Sequence, residues 1–219
     1  ISIRLVGSEM CIRDSIGGGV VGVSTLYHLV KKGWTDCVLI ERKELTSGST
    51  WHAAGLLPLF NMSYSVGQIH KYSVDLYGRL EEETGQYAGL SRVSNIRLAT
   101  TQDRMDEYKQ YAGVAQTIGV QVDILTPDEV VDIWPLAVKD NLIGAIRHPM
   151  DGYIQPADLT QALAKGARDI GGQIYRNTNV TAITRTTSGE WKVTTDKGEV
   201  ICEHVVSATG NFARRTGEM

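Results

Sequence analysis

The chain has 219 residues, 42% hydrophobic and 21% charged, which is typical of a globular protein and excludes a disordered one. Its 22 basic and 25 acidic residues give a formal net charge of −3, which offers no basic surface for nucleic acid. No apolar run approaches the roughly 20 residues of a membrane-spanning helix, and the three cysteines show neither metal-ligand spacing nor a disulfide framework. We expect a cytoplasmic protein with no metal, nucleic-acid or membrane partner.

The first 15 residues are unlike the rest of the chain. Residues 5–15 read LVGSEMCIRDS, a string that resembles one reading frame of a transposase adapter used in preparing sequencing libraries. We therefore expect residues 1–15 to be a non-native segment joined to a natural reading frame that begins near Ile16. Arg13 and Asp14 also stand where a buried parallel strand should be apolar, so we expect the natural first strand to have been replaced. Met219 follows a predicted strand and turn, and the fold is expected to be incomplete at both ends.

A glycine loop opens the natural part of the chain. Residues 17–22 read GGGVVG and fit the pattern G-x-G-x-x-G, in which glycines permit a tight turn, close approach of a pyrophosphate and close helix packing. Residues 20–32 predict a helix that ends at Gly33, and residues 37–40 predict a buried parallel strand. Glu41 ends that strand about 20 residues after the loop, where an acid accepts hydrogen bonds from an adenosine ribose. The sequence thus predicts a dinucleotide site for NAD or FAD, with NADP disfavoured.

The middle of the chain changes character before strands return. Helices are predicted at residues 65–84, 102–118 and 157–170, and a further helix begins after the N-cap Thr126. In the first of these, Ile69, Tyr72, Leu76 and Leu80 are expected on one side. Residues 173–207 read as strands. The fold class is therefore predicted as α/β: a Rossmann-like βαβ domain in residues 16–90 and 151–219, interrupted by a mixed α+β substrate-side region in residues 91–150.

The segment after Glu41 indicates which dinucleotide is bound. Residues 41–60 read ERKELTSGSTWHAAGLLPLF and resemble the dimethylglycine dehydrogenase and sarcosine dehydrogenase family of D-amino-acid-oxidase-like flavoproteins. Further matches lie at residues 80–85, 96–100 and 151–154, and the likeness runs from about Ile16 to the end. The resemblance implies FAD, attached covalently through its 8α-methyl group to the histidine of the Trp-His-Ala-Ala-Gly segment, here His52.

The same resemblance implies two more cofactor contacts. They are the backbone at Val180, next to the adenine, and the small-residue turn at Ala208–Gly210. With the glycine loop and the segment after Glu41, the predicted cofactor-binding residues are Gly17, Gly19, Val20, Val21, Gly22, Glu41, Arg42, Gly48, Ser49, Thr50, Trp51, His52, Ala53, Ala54, Gly55, Leu56, Val180, Ala208 and Gly210.

The resemblance also implies an activity. A secondary or tertiary N-methyl amine, such as dimethylglycine or sarcosine, would lose hydride to the flavin, and tetrahydrofolate would take the product carbon in a carboxy-terminal region beyond this sequence. Two alternatives stay open: a related amino-acid oxidase that passes electrons to oxygen, and a non-catalytic nucleotide-binding fragment. No catalytic acid or base and no electron acceptor is assigned. A mitochondrial matrix location is the alternative to the cytoplasm, and the fragment by itself is expected to be inactive.

The other four histidines carry weaker expectations. His148 precedes Pro149 on the substrate side and is a minor functional candidate. His28 is expected on the first helix, either at the surface or in packing contacts, and His70 is expected on an amphipathic helix. His204 is expected to face solvent. None of them forms a metal-binding pattern with the cysteines.

Overall fold

The structure, a computed structural model, describes the backbone of residues 11–219 and the side chains from residue 14 onward. The strands are β1 (Cys11–Ile16), β2 (Cys37–Ile40), β3 (Leu56–Leu57), β4 (Leu90–Arg92), β5 (Asn95–Ala99), β6 (Asp123–Leu125), β7 (Gly144–His148), β8 (Gly152–Ile154), β9 (Gln173–Tyr175), β10 (Val180–Arg185), β11 (Trp191–Thr195) and β12 (Gly198–Ser207). The helices are α1 (Val20–Lys31), α2 (Tyr64–Thr84), α3 (Gln102–Ile118), α4 (Pro127–Ile133), α5 (Pro156–Asp169) and α6 (Ala213–Gly217), with 3₁₀ turns at Thr50–His52 and Gly210–Phe212.

The chain divides into two compact units. Among the described residues, unit 1 comprises residues 11–54, 80–89 and 155–219, and unit 2 comprises residues 55–79 and 90–154. The predicted α/β class is confirmed, since helices alternate with parallel strands in unit 1 and accompany small antiparallel sheets in unit 2. The assignment of one unit to the cofactor and the other to the substrate stays a prediction.

Unit 1 is built on a six-stranded sheet in the order β10-β11-β12-β1-β2-β9. β12, β1, β2 and β9 run parallel, which brings their carboxyl ends to one edge, whereas β10 and β11 join antiparallel. Helix α1 returns from β1 to β2 and packs on α5. Every residue of β2 is buried, as expected for a strand covered on both faces.

The residues predicted to be non-native nevertheless form most of the central strand β1 (Cys11–Ile16). Backbone hydrogen bonds to β12 and β2 do not depend on side-chain identity, which explains why this sequence is accommodated. This sequence does bury one carboxyl group unfavourably: Asp14 is fully buried and is paired in register with Val38 on one side and Val205 on the other. No N–H or O–H donor of the described residues hydrogen-bonds its carboxyl group. Burial raises the pKa of Asp14 to about 7, and a hydrogen bond with the Cys202 thiol offsets part of that rise.

Unit 2 holds two three-stranded antiparallel sheets, in the orders β3-β8-β4 and β5-β7-β6. The predicted helix start at Thr126 is confirmed: the Thr126 hydroxyl accepts a hydrogen bond from the Glu129 N–H, and the Glu129 carboxylate accepts one from the Thr126 N–H. The core packs α3 against β5 and β7 around Tyr108, Tyr111 and Ile146.

The predicted buried side of α2 is only half correct. Leu76 and Leu80 are buried, but Ile69 is 64% and Tyr72 is 49% exposed. The amino-terminal part of the helix instead buries Gly67, where a Cβ atom would lie only 2.4 Å from the Ile118 side chain on α3. Because the close contact there is made by a glycine, apolar periodicity alone did not identify the buried side.

Candidate functional site

The turn between β1 and α1 is held in a conformation that requires glycine. Gly17 has a φ of 115° and donates a hydrogen bond from its N–H to the Ile40 carbonyl at 2.9 Å. A Cβ atom on Gly17 would lie 2.4 Å from the Ala208 carbonyl oxygen, and one on Gly22 would lie 2.0 Å from the Gly17 carbonyl oxygen. The first glycine of the loop therefore permits the turn and the last lets α1 pack against it.

Glu41 is fixed beside this turn by two backbone donors. Its Oε2 accepts a hydrogen bond from the Gly18 N–H at 2.6 Å, and its Oε1 accepts one from the Lys43 N–H at 2.8 Å. A side chain on Gly18 would collide with the Glu41 side chain, at 2.8 Å from its Cγ. The carboxylate is thus held at the carboxyl end of β2, against the glycine loop.

The amino terminus of α1 is met by a side chain from a distant loop. The Thr50 hydroxyl accepts a hydrogen bond from the Val20 N–H at 3.0 Å, whereas the N-cap Gly19 offers no side chain for this purpose. No acidic residue occupies the first turn of α1, so the positive end of its dipole is not neutralised by the helix itself. Such a terminus favours an anionic ligand.

These elements surround a cleft of about 1020 Å³ within unit 1. Fourteen of the predicted cofactor-binding residues line it: Gly17, Gly19, Val20, Val21, Glu41, Arg42, Gly48, Ser49, Thr50, His52, Ala53, Val180, Ala208 and Gly210. The other five, Gly22, Trp51, Ala54, Gly55 and Leu56, do not line it. Gly22 lies behind the glycine turn, and Gly55 and Leu56 belong to unit 2.

His52 lies in the 3₁₀ turn Thr50–His52 and is exposed at the cleft. Its ring contacts that of Trp51, with centroids 4.0 Å apart. His52 is therefore accessible at the cleft, and its covalent attachment to a cofactor stays a prediction.

The cleft also contains residues that the sequence did not single out. Lys43 and Arg215 add positive charge, Thr178 and Asn179 form part of the wall that precedes β10, and Phe212 follows the turn at Ala208–Gly210. Lys43 and Asn179 adjoin a predicted residue in the chain, whereas the other three do not. Whether they face the cleft depends on the register of β9 and β12, which the sequence pattern does not specify.

Unit 2 contains a separate group of buried polar side chains. His148, the minor functional candidate, is fully buried with its Nε2 3.3 Å from the Tyr111 hydroxyl, and burial lowers its pKa to about 4. Asp151 accepts a hydrogen bond from the Leu59 N–H at 2.9 Å, and burial raises its pKa to about 6. Because Tyr111 donates to the Leu59 carbonyl, both backbone groups of Leu59 are held by buried side chains. These contacts support a structural role.

Among residues 11–219, no three His, Cys, Asp or Glu side chains are grouped as a metal site requires. No helix within this range combines the length and the apolar character needed to cross a membrane. His204 is exposed, as predicted.

Comparison with known proteins decides the family. A family model described as FAD dependent oxidoreductase (DAO) matches residues 16–219. The chain belongs to this family of FAD-dependent oxidoreductases.

The relatives point to amine dehydrogenases. The chain is 43% identical over 204 residues to mitochondrial dimethylglycine dehydrogenase of Rattus norvegicus, and the aligned segment covers 93% of this chain and 24% of that relative. It is 36% identical over 213 residues to mitochondrial sarcosine dehydrogenase of Homo sapiens, which covers 93% of this chain and 23% of that relative. The chain thus spans about a quarter of the length of these relatives, and the predicted resemblance is confirmed.

Solved structures agree with the assignment. L-proline dehydrogenase from P. horikoshii superposes with a TM-score of 0.86 at 27% identity, over 96% of this chain and 56% of the other. Glycine oxidase from Geobacillus kaustophilus superposes with a TM-score of 0.77 at 30% identity, over 94% of this chain and 57% of the other.

Proposed function

We propose that the cleft of unit 1 binds FAD, and that the whole protein oxidises a secondary or tertiary N-methyl amine such as dimethylglycine or sarcosine. The observation that carries this proposal is the convergence of the glycine turn, Glu41 and His52 on one cleft in a chain of this family. Its volume of about 1020 Å³ is at the upper end of the range for small-molecule sites, as a dinucleotide requires.

The residues of the cleft fit the parts of FAD in turn. The amino terminus of α1 and the side-chain-free turn at Gly17 would receive the pyrophosphate, because backbone donors can approach it closely there. Glu41, already positioned by Gly18 and Lys43, would accept hydrogen bonds from the adenosine ribose. Arg42 and Arg215 add positive charge to the same space. When bound, FAD would supply the hydride acceptor, and the protein would supply binding and orientation.

His52 is the residue through which FAD would be held covalently. In this proposal an imidazole nitrogen of His52 bonds to the 8α carbon of the flavin. Support comes from the exposure of the ring at the cleft and from the small residues that follow it, Ala53 to Gly55. The contact with Trp51 would restrict the rotation of the ring and so favour a single attachment geometry.

The substrate class rests on the relatives. The names of dimethylglycine dehydrogenase, sarcosine dehydrogenase and 4-methylaminobutanoate oxidase, the last 38% identical over 199 residues, share an N-methylated amino acid. We extend that class to the whole protein, with transfer of the product carbon to tetrahydrofolate as a further step. A location in the cytoplasm or the mitochondrial matrix stays a prediction.

Two other functions are favoured by particular relatives. An oxidase that passes electrons to oxygen is supported by the glycine oxidase of Geobacillus kaustophilus, 32% identical over 209 residues. A non-catalytic role is supported by the mitochondrial pyruvate dehydrogenase phosphatase regulatory subunit of Mus musculus, 37% identical over 201 residues.

Anaerobic reduction of the flavin by candidate amines tests the proposal. The whole protein, loaded with FAD, is mixed with dimethylglycine, sarcosine or glycine while the flavin absorbance is followed. We expect bleaching by the N-methyl amines and little by glycine. Fast return of the oxidised spectrum on admitting oxygen would identify an oxidase. A protein that binds FAD but is not bleached by any of these amines would contradict the proposed chemistry and favour the regulatory role.

A further inference from the structure

Phe212 occupies a position in the cleft that the glycine motif does not account for. It ends the 3₁₀ turn Gly210–Phe212, directly after β12, and remains 45% exposed although it is a large aromatic side chain. It also lines the cleft. An exposed ring at the wall of a ligand cleft offers a flat apolar surface for a planar group.

Arg42 lies against this ring. Its guanidinium carbon is 3.9 Å from the centre of the Phe212 ring, although the two residues come from the ends of different strands, β2 and β12. Among the described residues, no acid forms an ion pair with Arg42. A guanidinium stacks on planar groups through its own flat face, so the pair presents both a cation and an aromatic surface.

The place of this pair follows from its neighbour. Arg42 comes directly after Glu41, whose carboxylate would receive the adenosine ribose, and the Thr178 N–H donates to the Glu41 carbonyl at 2.9 Å. The base is bonded to that ribose, so it must lie within a few ångströms of Glu41. Arg42, the residue after Glu41, and the Phe212 ring against it both line the cleft, and they form the stacked planar pair nearest to Glu41 in the sequence.

We infer that the Arg42–Phe212 pair is the base-recognition element of the cleft: the purine ring stacks on the Arg42 guanidinium, and Phe212 supports the guanidinium from the other side. The inference rests on the proposed FAD site and adds to it a residue, Phe212, that selects an adenine nucleotide. A smaller pyrimidine ring would gain less from the same surface, because stacking grows with the overlapping area.

Binding of ADP and UDP tests this inference, since the two share the ribose and both phosphates and differ in the base. Affinities are measured by calorimetry for the native chain and for Phe212→Leu, Phe212→Tyr and Arg42→Lys, with FAD as a third ligand. We expect the native chain to prefer ADP. Phe212→Leu, which leaves the stacking guanidinium without its support, should weaken ADP and FAD by up to about tenfold, the contribution of one base-stacking contact, with UDP little changed. Phe212→Tyr should retain the preference, and Arg42→Lys, which keeps the charge but not the flat face, should lose it.

Three outcomes would overturn the inference. Equal weakening of ADP and UDP in Phe212→Leu would assign the ring a purely structural role, and unchanged ADP affinity would remove it from the site. In both cases FAD binding by the native chain would leave the proposed function intact. If the native chain bound neither ADP nor FAD, the proposed cofactor site itself would fail.

Discussion

β1 and β2 are neighbouring parallel strands at the centre of one sheet, and they differ in how well their sequences suit that position. At one of the positions where the two strands pair, β1 carries Asp14 and β2 carries Val38. Both side chains are buried, but Val38 joins the apolar core whereas Asp14 carries a carboxyl group that no N–H or O–H of the described residues satisfies. Backbone pairing thus suffices to place a strand, and its side chains determine how stable that placement is.

The two strands also end at the same cleft. The glycine turn follows β1 directly, and Glu41 follows β2. The unfavourable burial of Asp14 therefore occurs in the strand that leads into the proposed pyrophosphate site. Substitutions at Asp14 and Val38 should alter the free energy of unfolding without changing the residues that would contact FAD.

The largest loss of stability is expected from placing a second buried acid in β2, beside Asp14. Val38→Asp would put a second acid beside Asp14 in the same apolar surroundings, so that one proton would have to be shared or two charges buried. We expect a loss of about 4 kcal/mol or more in the free energy of unfolding at pH 8, measured by urea denaturation. Val38→Ala removes volume without adding charge and should cost less. Equal losses in the two variants would show that the charge is not what matters.

The converse change should stabilise the chain. Asp14→Val would continue the apolar rung formed by Val38 and Val205. The rise of the Asp14 pKa from its ordinary value of 3.8 to about 7 corresponds to a penalty of roughly 4 kcal/mol at pH 8, which the variant would remove. Asp140→Val, at an exposed acid, serves as the control and should change stability by no more than about 0.5 kcal/mol. Similar results for the two variants would contradict the account of β1.

The pH dependence should isolate the same carboxyl group. Because its pKa is raised in the folded state, the folded chain binds the proton more tightly, and stability falls as the pH rises from about 4 to about 7. Moving from pH 8 to pH 5 should therefore stabilise the native chain relative to Asp14→Val by roughly 2–3 kcal/mol. Asp151 contributes a pH dependence of stability with the same sign as that of Asp14, and His148 contributes one with the opposite sign. Both residues are present in the native chain and in Asp14→Val, so their contributions cancel in the difference. A difference that does not change with pH would show that Asp14 titrates normally.

The smallest effect should separate function from stability at the end of β2. Glu41→Gln keeps the shape of the side chain but removes its charge and leaves a single accepting oxygen, so that only one of the Gly18 and Lys43 N–H groups keeps its acceptor. We expect FAD to bind about tenfold more weakly, since hydrogen bonds to a charged group contribute about 1.5–3 kcal/mol. FAD fluorescence quenching measures the affinity, with Gln173→Glu on the neighbouring strand as the control. Unchanged affinity would remove Glu41 from the site.

The sequence indicated the parts of the site that depend on local rules. The glycine turn, Glu41 and the segment around His52 were predicted because each is encoded by a short run of residues, and the structure brings most of these residues to one cleft. Phe212 and Arg215 were missed because their position depends on how β12 ends beside β1, which is a long-range property. The exposed Ile69 on α2 shows the same limit: Gly67 makes the close packing contact there, and apolar periodicity does not register a glycine.

The attachment of flavin to His52 is the most direct test of the proposed site. The whole protein and its His52→Ala variant are denatured and separated on a gel, with His204→Ala as a control at an exposed histidine outside the cleft. The account predicts flavin fluorescence that travels with the native polypeptide and with His204→Ala and is absent from His52→Ala. Fluorescence that persists in His52→Ala, or is absent from all three proteins, would contradict covalent attachment at His52.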